Sequence, residues 1–201
     1  MSKGKRTHRP DDDFVPVTVD EFFAMADDPR GRKLQLMGGE VVAMAPPSHV
    51  HARIVSNLFG LLRDRFRELG KPCVPLSDVG VMPDLDARHN VRVPDLLVTC
   101  SSAILGEQYV KDPILVVEVL SPRNAKRTRD GILAYALIPS VREIVLLDSR
   151  RISAELYRRN ADGGWTNSHS GIIGRDARLV LNSAEMDVRL SDIYSGTSLV
   201  D

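Results

Sequence analysis

The segment Pro113-Ile114-Leu115-Val116-Val117-Glu118-Val119-Leu120-Ser121-Pro122 constrains the fold more than any other part of the chain. Read as a strand, it puts Ile114, Val116 and Leu120 on one face and Leu115, Val117 and Val119 on the other, all of them aliphatic. A strand that is apolar on both faces belongs inside a sheet covered on both sides. Glu118 interrupts the first face. An ionised carboxylate there loses several kcal/mol of solvation unless something compensates it. Three compensations are open: a metal ion, a basic side chain, or a proton held by a raised pKa.

The chain has 201 residues, which suits one domain with a sizeable core. Residues 1–13 carry no apolar periodicity and are expected to form a disordered tail, leaving 14–201 as the folded domain. No apolar run approaches the ~20 residues needed to span a bilayer, so a membrane protein is not expected. The basic start Met1 to Arg6 leads into His, Pro and three Asp rather than an apolar region with a small-residue cleavage site, and no export signal is read. Cys73 and Cys100 are too few for a disulfide scaffold or a four-ligand zinc site, so a reducing cytoplasm is the default. The net charge is zero, so any attraction to nucleic acid must come from local patches. Arg123, Lys126, Arg127 and Arg129 form one directly after the Glu118 strand; Arg150, Arg151, Arg158 and Arg159 form another that reads as a solvated face.

Asp20 or Thr18 would cap a short helix from Glu21 to Met25, and Leu34 to Met44 reads as a hairpin about Gly38-Gly39. Val55, Leu58, Leu62, Phe66 and Leu69 recur at spacings of three and four, predicting a helix from Ser48 to Leu69 that Gly70 ends. His51 lies one turn before Val55 on the same stripe, where either a hydrogen-bonded core histidine or a ligand fits. Strands are expected over Cys73 to Met82 and Val91 to Val98, a helix over Asn124 to Ile138 with Tyr135 facing inward, and a strand over Val141 to Asp148. Ile152 to Tyr157 and Trp165 to Ser170 read as a hairpin, and Val188 to Tyr194 as a short helix or turn. This order describes an α/β (α+β) fold with helices packed on a sheet.

Asp95 and Glu118, on neighbouring strands paired like a hairpin, are expected to meet at one edge of the sheet. Two carboxylates beside a basic helix start suit a hard divalent cation, Mg²⁺ or Mn²⁺, held against a phosphodiester. Such an ion binds a phosphate oxygen and generates hydroxide, while Lys126 or Arg127 would neutralise the charge developing on phosphorus.

Gly39-Glu40 with Met44-Ala45 and His51, then Val93-Pro94-Asp95, then Val117 to Pro122, then Tyr135 followed by Ile138 to Glu143, resemble in order and spacing the Uma-two family of restriction-endonuclease-like proteins, within the PD-(D/E)XK nuclease superfamily. The resemblance covers nearly all of the folded chain. It implies a restriction-endonuclease-like fold with a central mixed sheet flanked by helices, Asp95 and Glu118 as metal ligands, and His51 near the site. It also implies DNA as partner and a homodimer acting on two strands. Arg123, Arg129 and Gln35 are placed among the substrate-binding residues.

Two departures from the family pattern bear on activity. Gln35 stands where the family usually has a Glu in the first hairpin, and Gly131 stands where its catalytic Lys precedes the Tyr. Arg127, one turn before Gly131 and about 6 Å away along the helix axis, is the expected substitute, with Lys126 beside it. An Arg supplies charge but cannot act as a base. The leading expectation is a Mg²⁺-dependent DNA endonuclease, catalytic through Asp95, Glu118, His51 and Lys126 or Arg127. The alternatives are an inactive nuclease-fold module that binds DNA or protein, and a structural core in which Glu118 pairs with Arg127 or Arg129.

Overall fold

The computed structural model describes residues 14–25, 28, 31–101, 109–122, 125–166 and 171–200, with the side chains of 127 and 130 outside that description. The expected tail, 1–13, lies outside the described residues. In chain order the elements are α1 (Val19–Ala24), β1 (Leu34–Met37), β2 (Glu40–Ala43), α2 (His49–Glu68), β3 (Val74–Leu76), β4 (Gly80–Val81), β5 (Asn90–Val91), β6 (Leu96–Thr99), β7 (Tyr109–Val110), β8 (Pro113–Leu120), α3 (Ala125–Ala136), β9 (Glu143–Asp148), β10 (Ser153–Arg158), β11 (Ile172–Ile173), β12 (Arg178–Leu181), β13 (Met186–Arg189) and α4 (Leu190–Ile193).

Local chemistry sets the starts of the first two helices. Thr18 Oγ1 accepts the Glu21 N–H while the Glu21 carboxylate accepts the Thr18 N–H, a reciprocal cap that satisfies two otherwise orphaned donors before α1. Ser48 Oγ accepts the His51 N–H at 3.2 Å and opens α2. Ile54, Leu58, Leu62 and Phe66 of α2 are all buried, following the period the sequence predicts. Strands β1 and β2 pair around Gly38 and Gly39, whose φ angles of 59° and 81° are those a two-residue turn between twisted strands requires.

The main sheet has six strands in the order β11-β10-β9-β8-β6-β3. Strand β8 lies inside it, parallel to β9 and antiparallel to β6, so the sheet is mixed. Leu115, Val117 and Val119 pack into the cluster that holds the α2 stripe. Val116, on the opposite face, packs with Tyr135 of α3 and with Ile138 and Ile144. The two-sided apolar character of this strand is thus the imprint of a helix on each face of the sheet. Its register sets Leu97 opposite Val116 and Leu96 opposite Val117, and one step further brings Asp95 level with Glu118.

Several expected elements differ, each for a visible reason. The strand expected over Cys73 to Met82 divides into β3 and β4 on either side of Asp78, whose φ is 63°. The one over Val91 to Val98 divides into β5 and β6 at Pro94, which has no N–H to give to a ladder. Strand β10 lies between β9 and β11; of the expected hairpin the described part is its turn end, with a bridge from Arg159 to Trp165 and the Thr166 N–H donating to the Arg158 carbonyl, residues 167–170 lying outside the described ones. A hairpin of β12 and β13 precedes α4, with Leu179, Leu181, Met186 and Val188 buried in alternation. Cys73 and Cys100 form a disulfide. A count of two cysteines does not suggest that bond; the β3–β6 register, with Val74 opposite Thr99, brings them together. Among the described residues no helix is long and apolar enough to cross a membrane.

Leu58 lies under the sheet with no solvent exposure, whereas Leu133 of α3 is 70% exposed. In denaturant unfolding, Leu58→Ala is expected to cost about 2 to 5 kcal/mol, and Leu133→Ala to change stability by less than about 0.5 kcal/mol.

Candidate active site

Asp95 sits where the chain leaves Pro94 and enters β6, and Glu118 projects beside it from β8. The pair meets at the end of the sheet away from the 99–112 connection, as expected, and on interior strands, since β8 has a neighbour on each side. Both carboxylates line a cleft of about 960 Å³ walled by the β1–β2 hairpin, the first turns of α2 and one face of α3.

Each oxygen of Asp95 is engaged. Oδ2 accepts the Val119 N–H at 2.8 Å, and Oδ1 lies 3.1 Å from His51 Nε2. Burial works to raise this carboxyl, but the His51 hydrogen bond and charge, the Val119 N–H and Lys33 outweigh it and hold Asp95 below its ordinary range. Glu118, 6% exposed, has one hydrogen-bond donor among the described residues, the Tyr135 hydroxyl at 2.6 Å from Oε1. Burial first, then repulsion from Asp95, push the Glu118 carboxyl well above its ordinary range; Tyr135 and Lys33 offset this only in part. Burial and the charge of Glu118 push the Tyr135 phenol up as well, so Tyr135 remains a donor. Of the three compensations open for Glu118, this upward shift favours the proton beside Asp95.

Glu143, at the start of β9, is a useful contrast. It is 1% exposed, yet it accepts from Arg158 Nε at 2.8 Å and from the backbone N–H groups of Asn182 and Ser183 at 3.1 and 2.8 Å. That carboxylate is satisfied by the fold itself. Glu118 is not, and it faces a cleft.

The other candidates divide. His51 is buried and acts on Asp95. Gln35 of β1 lines the cleft, its Nε2 donating to the Val93 carbonyl at 3.4 Å and contacting Met44 Sδ at 2.9 Å. The face that α3 turns to the cleft carries Thr128, Gly131 and Tyr135, spaced by three and four. Lys126 falls off that face and is exposed, and Arg129 pairs with Glu155 of β10. Neither therefore lies with the carboxylates. Arg127 belongs to α3, but its side chain lies outside the described residues, as does all of Arg123.

The described cations that do face the pair are Lys33 and Arg92, which the sequence reading passes over. Lys33, just ahead of β1, is bonded to Asp78. Arg92 lies between buried Val91 and Val93, and the alternation of an extended chain turns it toward the cleft. A charged residue between two valines directly before Pro94-Asp95 is the signal that could have found it.

Residues 19–187 match the model of the Uma2 family, described as "Putative restriction endonuclease". The chain belongs to that family. A Synechocystis relative, "Uncharacterized protein slr1290", is 29% identical over 194 residues, covering 94% of this chain and 97% of its own. The fold of the Uma2 chain is similar to the crystal structure titled "a putative nuclease belonging to DUF820" from Anabaena variabilis, with a TM-score of 0.70 over 90% of this chain and 98% of that one, at 18% identity. The mixed sheet flanked by helices is therefore the fold of that chain.

Because folding raises the Glu118 pKa above its ordinary 4.5, the native state binds the proton more tightly than the unfolded chain does. Its contribution is full below that ordinary value and is lost as pH rises through the raised one, at up to about 1.4 kcal/mol per pH unit. Glu118→Gln, which keeps a donor toward Asp95, is expected to raise the stability of the metal-free protein at neutral pH, with the gain vanishing below about pH 4. Urea unfolding across pH checks this.

Proposed function

We propose that this Uma2 protein is a metal-dependent endonuclease that hydrolyses DNA phosphodiester bonds. The observation that carries the reading is the Asp95 and Glu118 pair, buried, mutually repelling and open to a cleft, with no basic side chain salt-bridged to Glu118 among the described residues. Family membership and the fold shared with the Anabaena chain support it.

The donor set fits a hard divalent ion. Both side chains offer oxygen, and a cation would relieve the burial and mutual repulsion that raise the Glu118 pKa. Among the described residues no group of three or more His, Cys, Asp or Glu side chains could hold an ion. Two carboxylates suit Mg²⁺ or Mn²⁺, which bind few protein ligands and keep their waters. Held by Asp95 and Glu118, such an ion supplies a polarised phosphate and a more acidic water.

The protein's own groups do the positioning. His51 and the Val119 N–H fix the Asp95 carboxylate, and Tyr135 fixes that of Glu118. Ser48, capping α2, holds the turn that carries His51. Gln35 gives the hairpin wall a neutral amide, a weaker ligand than a carboxylate. A second reading, a nuclease fold that binds DNA without cutting it, is favoured by that amide and by the bare Gly131 on the cleft wall.

Plasmid nicking in Mg²⁺ or Mn²⁺ separates the two. The nuclease reading expects nicking that EDTA stops, and at least a ~10²-fold loss in Asp95→Ala and Glu118→Gln, each with an intact fold by circular dichroism. Calorimetry is expected to give Mn²⁺ binding that Asp95→Ala removes. Nicking undiminished in folded Glu118→Gln would take the chemistry away from this site.

A further inference from the structure

The cleft brings two carboxylates together, and a phosphodiester beside them would add a further negative charge. A cation must therefore meet the phosphate, and α3 turns neither Lys126 nor Arg129 toward it. Arg92 is placed for the task. Its backbone is clamped to Val81 by hydrogen bonds of 2.7 and 2.9 Å in both directions, which fixes the residue just ahead of Pro94-Asp95. Its side chain lines the cleft, and among the described residues it makes no ion pair; its buried Nε has no hydrogen-bond partner. A Cβ built on Gly131 would meet one neighbour, Arg92 Nη1 at 3.9 Å. Hence the guanidinium reaches the α3 wall at the position where that helix has no side chain. Burial lowers the Arg92 pKa, while Tyr135 and Glu118 counter it, which places the charge beside the carboxylate pair. A half-buried guanidinium whose buried Nε lacks an acceptor carries a cost, and a phosphate oxygen is the partner its planar fork matches.

We propose that Arg92 is the catalytic cation of this cleft, donating hydrogen bonds to the scissile phosphate in the space that Gly131 leaves beside Tyr135. The inference rests on the nuclease reading above. In the step it assists, a water oxygen bonds to phosphorus as an ester P–O bond breaks; the proton shed by the attacking water passes to solvent water and the departing oxygen takes one from solvent water, so none is gained or lost overall. Arg92 keeps all its protons and stabilises the charge on the non-bridging oxygens. Lys33, bonded to Asp78, remains at the rim.

The test compares Arg92→Met, Arg92→Lys and the double variant Arg92→Met/Gly131→Lys with the wild type, each checked by thermal unfolding. Two readouts are taken: plasmid nicking in Mn²⁺, and affinity for a short DNA duplex in EDTA and in Ca²⁺. Arg67→Met removes an exposed charge at the far end of α2 and serves as the charge control. Arg92→Met is expected to slow nicking about 10²-fold and Arg92→Lys about tenfold. The double variant should recover at least tenfold over Arg92→Met, because its ammonium enters the same space. Duplex affinity should fall further in Arg92→Met than in Arg67→Met. If folded Arg92→Met, or Arg92→Lys should the former not fold, nicks as fast as wild type, the assignment of Arg92 fails while the nuclease reading stands. If the wild type nicks nothing, the nuclease reading fails and takes the catalytic role of Arg92 with it, and duplex affinity decides its phosphate contact. Affinity that falls no further than in Arg67→Met, or wild type that binds no duplex, overturns it.

Discussion

The repulsion between two carboxylates that strand pairing forces together is the interaction on which the rest of this molecule turns. Antiparallel register between β6 and β8 sets Asp95 level with Glu118, and burial on the cleft floor leaves the pair little of the water that would screen them. Asp95 is stabilised as an anion by His51 and a backbone N–H, and burial together with that anion raises the Glu118 pKa. The rigid surroundings hold the pair in place: the Ser48 cap, the α2 stripe under the sheet and the clamp between Arg92 and Val81 all converge on these two side chains.

Burial alone does not mark a functional acid here, since Glu143 is the more deeply buried of the two glutamates. What separates them is satisfaction. Glu143 has an arginine, two backbone N–H groups and the Ser183 hydroxyl, the complement that a structural carboxylate collects. Among the described residues Glu118 has one phenol donor and a second carboxylate beside it, a combination that costs stability.

Helical phase decides which basic groups can join the site. On α3 the residues facing the cleft are Thr128, Gly131 and Tyr135, so the cluster after Pro122 does not act as a block: exposed Lys126 and the Arg129 paired with Glu155 lie on other sides. Arg92 arrives from the opposite wall, on the same short segment that delivers Asp95. Cation and carboxylate are then positioned by one stretch of backbone, with Pro94 between them freeing the chain from the ladder of β5 before β6 begins.

Much of this was legible along the chain. The interior place of β8, the buried stripe of α2, the Gly38-Gly39 turn, the inward face of Tyr135 and the approach of Asp95 to Glu118 all follow from residue periodicity and turn chemistry, because these register burial along a single element. The tertiary structure alone decided the meeting of Cys73 with Cys100, the pairing of β10 with β11, the turning away of Arg129 and the arrival of Arg92 beside Gly131. Those outcomes depend on the register between strands and the rotation of a helix against a sheet, and such offsets between distant elements leave no periodic trace in the order of residues.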